Sequence, residues 1–168
     1  MPVRLEGSCR CGAVRFALAS HTPHPYQRCY CSICRKTAGG GGYAINIMGL
    51  ASTLEVAGRR AVRVYHAEVG EAGRDGACRL QASPAGRHSC SRYASALWLS
   101  DPRWPELAHP FASAIDTGLP VPPSRVHLML RYKAAWVQPD VREGDACFEE
   151  YPEQSIEDWH KARGLWVD

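Results

Sequence analysis

Cys29-Tyr30-Cys31-Ser32-Ile33-Cys34 is the stretch on which the reading of this chain turns, and Cys9-Arg10-Cys11 with the later Cys90 completes the pattern around it. These positions hold six of the eight cysteines. A CxC followed by a CxCxxC, in a sequence that opens without an apolar leader, reads as thiolate ligation of zinc rather than as disulfides. A tetrahedral zinc holds thiolates at about 2.3 Å, so two sulfurs on it lie roughly 3.8 Å apart. Residues i and i+2 of an extended segment share a face, which makes Cys9 with Cys11, and Cys29 with Cys31, a pincer each. A turn or a single helical turn then closes Cys34 onto the second pincer. Three thiolates with no local fourth ligand leave two readings. One is a closed structural site that recruits Cys90 or a histidine; the other is a reactive site that keeps a position open.

The rest of the composition narrows the choice of function. At 168 residues, the chain is long enough for one domain, residues 1–168, with a core of its own, so metal is not required merely to fold. No stretch reaches the length of a membrane span, and Met1-Pro2-Val3-Arg4-Leu5-Glu6 lacks the apolar region of a signal peptide. The expectation is a cytoplasmic protein with reduced thiols and no membrane partner. The net charge of +3 is small, and no Lys/Arg run is interleaved with aromatics, so no nucleic acid is expected. The charge is nevertheless uneven: residues 1 to 63 carry nine Lys and Arg against two Asp and Glu, and residues 139 to 168 carry three against nine. Arg28, Arg35 and Lys36 put positive charge beside the cysteine cluster, as an anionic ligand would need, although a solvated basic face has the same composition.

Short strands fill the first two thirds. Val14, Phe16 and Leu18 alternate with Ala13, Arg15 and Ala17, the period of a half-buried strand. Further strand candidates are Tyr43 to Met48, Thr53 to Val56, Ala61 to His66, Ala96 to Leu99 and Val126 to Leu130. The segment Tyr65 to Arg87 reads as a long hairpin or surface excursion. Its Cys78, like Cys147, reads as a small packed hydrophobe. Gly39 to Gly42 matches no phosphate-binding pattern. The clearest helix is at the end, with Ser155 as its cap, Asp158 in the capping-box position, Ile156 and Trp159 facing inward, and Gly164 as its stop.

Cys9-Arg10-Cys11-Gly12-Ala13-Val14-Arg15-Phe16, then Cys29 to Lys36, then Cys90 to Trp98 resemble the glutathione-dependent formaldehyde-activating enzyme family, which includes centromere protein V. Leu99 to Pro120, Val126 to Val137 and Tyr151 to Trp166 resemble stretches of its bacterial members. The resemblance implies a mainly β fold, the β-tent of short antiparallel strands, here with a C-terminal helix. It also implies two zinc ions: Cys9 and Cys11 with a later pair for a structural one, and Cys29, Cys31 and Cys34 for a catalytic one. The chain departs from the family in two places. The later pair, CxxC followed by Gly-Ser, reads here Cys90-Ser91-Arg92-Tyr93-Ala94-Ser95, and a phenol with a pKa near 10 is a poor replacement for a thiolate. Tyr30 also stands where the family often has His.

Three thiolates leave zinc a weak Lewis acid, better suited to taking a substrate thiol than to making hydroxide. The function implied is a carbon–sulfur lyase acting on a small-molecule thiol such as glutathione, or on its adduct S-hydroxymethylglutathione. A zinc-stabilised, non-catalytic binding module is the alternative, and a thiol redox switch is a third class.

Overall fold

The computed structural model describes residues 1–38, 40–72 and 78–168, leaving aside the side chains of 38, 71, 72 and 78. In chain order the elements are β1 (Val3–Ser8), β2 (Arg15–Ser20), β3 (Gln27–Cys29), α1 (Ser32–Ala38), β4 (Ala44–Ile45), β5 (Gly49–Leu50), β6 (Glu55–Ala57), β7 (Val62–Ala72), β8 (Cys78–Cys90), β9 (Ala96–Ser100), β10 (Leu107–Pro110), β11 (Val126–Leu128), β12 (Ala146–Cys147) and α2 (Ile156–Lys161). The fold is mainly β, with short strands and a small C-terminal helix, as expected.

The alternating segment forms β2, with Val14, Phe16 and Leu18 buried and Arg15 exposed; Ala17 is buried as well. β2 lies between β1 and β6 in an antiparallel sheet. The second sheet runs β5-β10-β9-β8-β7. Its longest pairing is the expected hairpin, where β7 meets β8 from Val62 opposite Cys90 to Ala72 opposite Cys78, with an irregularity between His66 and Glu68. The third sheet, β12-β11-β3-β4, differs from the expectation of antiparallel strands. β11 runs parallel to both β3 and β12. Long connections separate these strands, so no tight hairpin imposes an antiparallel return.

Three expected strands are shorter than their windows; of Val126 to Leu130 the strand keeps Val126–Leu128, since Met129 takes φ +61° and a 3-10 turn begins at Leu130. Of Tyr43 to Met48 only Ala44–Ile45 is a strand, with Asn46 and Met48 making isolated bridges to Phe111 and Thr22. In Thr53 to Val56, a 3-10 turn over Ala51–Thr53 precedes β6. At the end of the chain, Ser155 caps α2 by accepting from the Asp158 N–H at 3.0 Å, and Gly164 takes φ +66° just past it.

One apolar core holds Leu5, Val14, Phe16, Leu18, Ile47, Leu97, Trp98 and Phe111. Cys9, Cys34 and Cys90 belong to the same cluster, and Cys11, Cys29 and Cys31 pack against it. Gly58 helps to hold the cysteine loop on this core. It has φ +75°, and a Cβ there would lie 1.9 Å from the Ala13 carbonyl oxygen, so only glycine permits the approach. A smaller cluster joins Tyr26, Val126, Leu128 and Trp159, where the Tyr26 and Trp159 rings stack at 3.7 Å between centroids. Cys147, expected to pack as a small hydrophobe, is exposed on the two-residue edge strand β12. Too little chain covers that edge to bury it. No helix among the described residues is long and apolar enough to cross a membrane.

Candidate metal centre

The six cysteines assemble into two triads, Cys9 with Cys11 and Cys90, and Cys29 with Cys31 and Cys34, and within each triad the sulfurs lie within 4.8 Å of one another. Both groups fit a metal ion by their donors, since three soft sulfurs converging at this spacing are close to the roughly 3.8 Å edge of a tetrahedral thiolate site.

The first triad is built from two turns. Cys9 and Cys11 lie in the tight turn from β1 to β2, where the Gly12 N–H donates to the Cys9 carbonyl at 2.9 Å and Gly12 takes φ +71°. The turn, rather than an extended segment, brings their sulfurs to 3.3 Å, and Cys90 at the end of β8 comes within 3.5 Å of Cys11. Backbone N–H groups point at these sulfurs: Val14 donates to Cys9 at 3.2 Å and Arg92 to Cys90 at 3.4 Å. Burial opposes ionisation of Cys9, but the Val14 N–H and the Cys11 and Cys90 thiols outweigh it and bring the group down to about 7. Neither Tyr93 nor His88 joins the triad as a fourth ligand. Tyr93 is 67% exposed. His88 stacks on Trp98 at 4.7 Å. The Cys78 side chain lies outside the described residues, and its backbone is twelve residues up β8 from Cys90, about 40 Å at ordinary strand rise.

The second triad is local. Cys29 ends β3, held by β4 on one side and by β11 on the other, with Leu128 opposite it. Cys31 immediately precedes α1, and its sulfur accepts the Cys34 N–H at 3.3 Å, as a serine or aspartate cap would. Arg35 and Lys36 sit in the last turn of α1, where cations suit the helix dipole. The Arg28 guanidinium stacks over Tyr43 at 4.8 Å.

Three touching thiols do not ionise independently. Hydrogen bonds from Cys29 and then Cys34 pull Cys31 far down despite burial. The bond to Cys31, then the one to Cys34, then burial push Cys29 up. At Cys34 the bond to Cys29 lowers the thiol, but Cys31 and burial outweigh it and the group moves up. The triad thus gives up one proton readily and keeps the others until a cation takes their place, as a metal ion does.

Behind this triad lies a hydrogen-bonded chain that the sequence did not reveal. Tyr30, 1% exposed between two of the cysteines, has its hydroxyl 2.8 Å from His127 Nδ1, and His127 Nε2 lies 3.2 Å from Asp145. Burial pushes the His127 pKa down, leaving a neutral ring. Its Nε2–H donates to the Asp145 carboxylate and its Nδ1 accepts from Tyr30. Burial opposes the charge on Asp145, but Arg125 and the backbone N–H groups of Arg142 and Arg125 outweigh it and hold the carboxyl well below the usual carboxylate range. Nothing in the sequence marks residues 30, 127 and 145 as partners, because the parallel pairing of β11 with β3 on one side and β12 on the other is what brings them together. Tyr151 is a second residue the sequence reading missed. It is 74% exposed, yet the atoms packed around its hydroxyl, and after them the charge of Cys29, Cys31 and Cys34, push its phenol up.

An open cavity of about 580 Å³ is lined by Ser8, Cys9, Arg10, Thr37, Ser95 and Asp116, among others, and so lies between the first triad and the end of α1.

The sequence profile of the glutathione-dependent formaldehyde-activating enzymes matches residues 4–103, a span that contains all six cysteines of the two triads. The chain belongs to this family. A protein of Halomonas elongata, named provisionally as a glutathione-dependent formaldehyde-activating enzyme, is 60% identical over 161 residues, covering 96% of this chain and 97% of its own length. A crystal structure of a Rhodobacter sphaeroides protein shares the fold, with a TM-score of 0.50 at 21% identity, over 68% of this chain and 91% of that one. Membership in the family supports an enzyme of glutathione-dependent formaldehyde activation, and the two triads give it places for metal.

Proposed function

We propose that this chain is a zinc-dependent carbon–sulfur lyase of the cytoplasm. It would act on a glutathione-type adduct such as S-hydroxymethylglutathione, with Cys29, Cys31 and Cys34 as its catalytic metal ligands and Cys9, Cys11 and Cys90 as ligands of a second, structural zinc. The observation that carries this reading is the convergence of Cys29, Cys31 and Cys34 within 4.8 Å, with no fourth protein donor in their group among the described residues. Zinc bound there supplies an acceptor for one further sulfur, which a thiol fills as thiolate.

The chain's own residues have three tasks. Cys31, at the start of α1, and Cys29, at the end of β3, fix the pincer, and Cys34 closes it. Tyr30 keeps the loop between them pinned to His127. The basic side chains Arg28, Arg35 and Lys36 give the carboxylates of a tripeptide an attractive field. In the synthetic direction, the substrate sulfur attacks the carbonyl carbon of formaldehyde, the carbon–oxygen π pair moves to oxygen, and oxygen takes up the proton that the thiol released. Cleavage reverses each transfer and returns the electron pair to sulfur.

Mixing the metal-loaded protein with glutathione at millimolar concentration in a calorimeter tests the reading. Measurable heat and a perturbed metal site are expected, together with accelerated release of formaldehyde from the adduct. A metal site indifferent to thiols would leave the protein a binding module whose metals serve architecture only.

A further inference from the structure

Among the described residues two arginines are deeply buried, Arg87 at 9% and Arg125 at 7% exposure, and their surroundings differ sharply. Arg125 is saturated with acceptors: its Nε meets Asp145 at 2.9 Å, its Nη1 meets Asp140 at 3.0 Å, and its Nη2 meets the Asp140 carbonyl at 2.7 Å. Arg87 has no carboxylate partner among the described residues. Its Nη2 lies 3.8 Å from the Cys34 sulfur, and its Nη1 is buried without any partner. A guanidinium taken out of water without a counter-charge is strongly unfavourable. Cys34 is therefore the group to which the fold has matched this cation.

The backbone supports that match. Arg87 stands on β8 between Tyr65 of β7 and Leu99 of β9. The Tyr65 hydroxyl meets Thr37 Oγ1 at 2.8 Å, and Thr37 in turn donates to the Ile33 carbonyl at 2.7 Å. Neighbouring residues of the hairpin thus dock α1 at two points, one at its last turn and one at its metal-binding cysteine. Arg87 lies three residues before Cys90, so the strand that delivers a ligand to the first triad delivers a cation to the second.

We infer that Arg87 is a positioning residue of the second triad, a fixed counter-charge that lets the metal site accept an anionic sulfur as its fourth ligand. The inference rests on the metal-thiolate reading above. Three thiolates and one divalent ion sum to one net negative charge, and a substrate thiolate brings the sum to two. Each step adds negative charge beside a guanidinium that water does not screen, and each is eased by it. Arg87 touches a ligand of the metal and acts through it.

Two substitutions separate charge from shape. Arg87→Met keeps length and packing but loses the charge; Arg87→Lys keeps the charge and loses the planar fork. Protein loaded with cobalt reports its thiolate ligands by absorption, and glutathione titration and chelator competition are both read from that signal. Arg87→Met is expected to weaken glutathione binding at least tenfold and to release cobalt from the second triad at least tenfold more readily, with Arg87→Lys recovering most of both. The reverse ranking, with Met close to the unaltered protein and Lys impaired, assigns Arg87 to packing and overturns the inference. Normal cobalt–thiolate absorption in an Arg87→Met protein that binds glutathione undiminished overturns it while sparing the proposed function. Absence of that absorption in the unaltered protein overturns both. Should neither variant fold, the cobalt-loaded unaltered protein is titrated with azide and with neutral imidazole at pH 8. The anion must bind at least tenfold more tightly, and equal affinities overturn the inference.

Discussion

Two sets of three cysteines lie in one core, and the protein surrounds them differently. Around the first triad the donors to sulfur are backbone N–H groups, from Val14 to Cys9 and from Arg92 to Cys90. Around the second, one N–H reaches Cys31 and a buried guanidinium reaches Cys34. Backbone amides cannot move or change charge, so the first environment suits a metal that stays where it is. A side-chain cation with a donor to spare suits a site whose charge changes during turnover. On the proposed function, the same ligand chemistry is directed toward architecture in one place and toward reaction in the other.

The largest effects should come from removing a ligand on each side of this comparison. Cys31→Ser is expected to abolish lyase activity, by at least a thousandfold, and to empty the second triad, while melting within a few degrees of the unaltered protein. Cys90→Ser should do the opposite, lowering the melting temperature by about 10 °C or more, on the scale of several kcal/mol of bound metal lost from the folded state. Metal analysis beside thermal melts checks both. Equal loss of stability in the two variants would erase the distinction.

Tyr93 offers a way to sharpen it. The side chain is 67% exposed, at the end of a turn in which Ala94 takes φ +55°, a conformation that suits glycine better. Tyr93→Cys should add a fourth thiolate to the first triad, slow metal release to a chelator tenfold or more, and raise the melting temperature. Ala94→Gly should add about 1 kcal/mol by relieving the left-handed strain. If the unaltered protein already holds two zincs with equal resistance to a chelator, the first triad is not deficient and the comparison must be redrawn.

Tyr30→Phe acts on the other side. It leaves His127 Nδ1 buried without a partner, which costs about 1–3 kcal/mol, and it frees the loop between Cys29 and Cys31. Metal retention at the second triad is expected to fall severalfold, with retention at the first unchanged, as read by chelator competition on each site. Equal losses at both would mean that Tyr30 supports the core generally.

The smallest effect separates acid release of metal from acid unfolding. Burial pushes His160 down to about 4, below its value in the unfolded chain. As pH falls below about 6.5 the unfolded state takes a proton that the folded state refuses, so this contribution to stability is complete above that pH and declines toward pH 4. About 1–2 kcal/mol should be lost by pH 5 in metal-free protein, and His160→Phe should flatten that limb of the melting profile. An unchanged limb would place the acid sensitivity elsewhere.

How much of this was legible in the chain depended on distance along it. Cys29, Cys31 and Cys34 announced themselves because their grouping is local, and the alternation through Val14, Phe16 and Leu18 announced β2 for the same reason. The hairpin of β7 and β8 and the Ser155 cap of α2 follow equally short-range rules. Tyr30, His127 and Asp145 did not, since only the parallel register of β11 against β3 and β12 makes them neighbours. Arg87 was hidden differently. It ends a segment whose sequence reads as a hairpin or surface excursion, and only its 9% exposure, with no carboxylate partner among the described residues, shows that it is part of the interior. The expectation that Cys9 and Cys11 share the face of an extended segment failed in its geometry while succeeding in its consequence, because a turn led by Gly12 brings the sulfurs together instead.

The spans that the two triads close also set an order of events during folding. Cys11 and Cys90 are 79 positions apart, whereas Cys31 and Cys34 are three apart. Drawing the ends of the longer loop together costs about 3 kcal/mol more chain entropy. A metal ion can therefore be captured by the second triad while the chain is still emerging and before any sheet exists. The first triad must wait until β8 has been made and has returned to the turn between β1 and β2. Metal bound there would be a late clasp that records completed folding, and a chain starved of metal as it is synthesised would arrive with its second triad filled first and its clasp still undone.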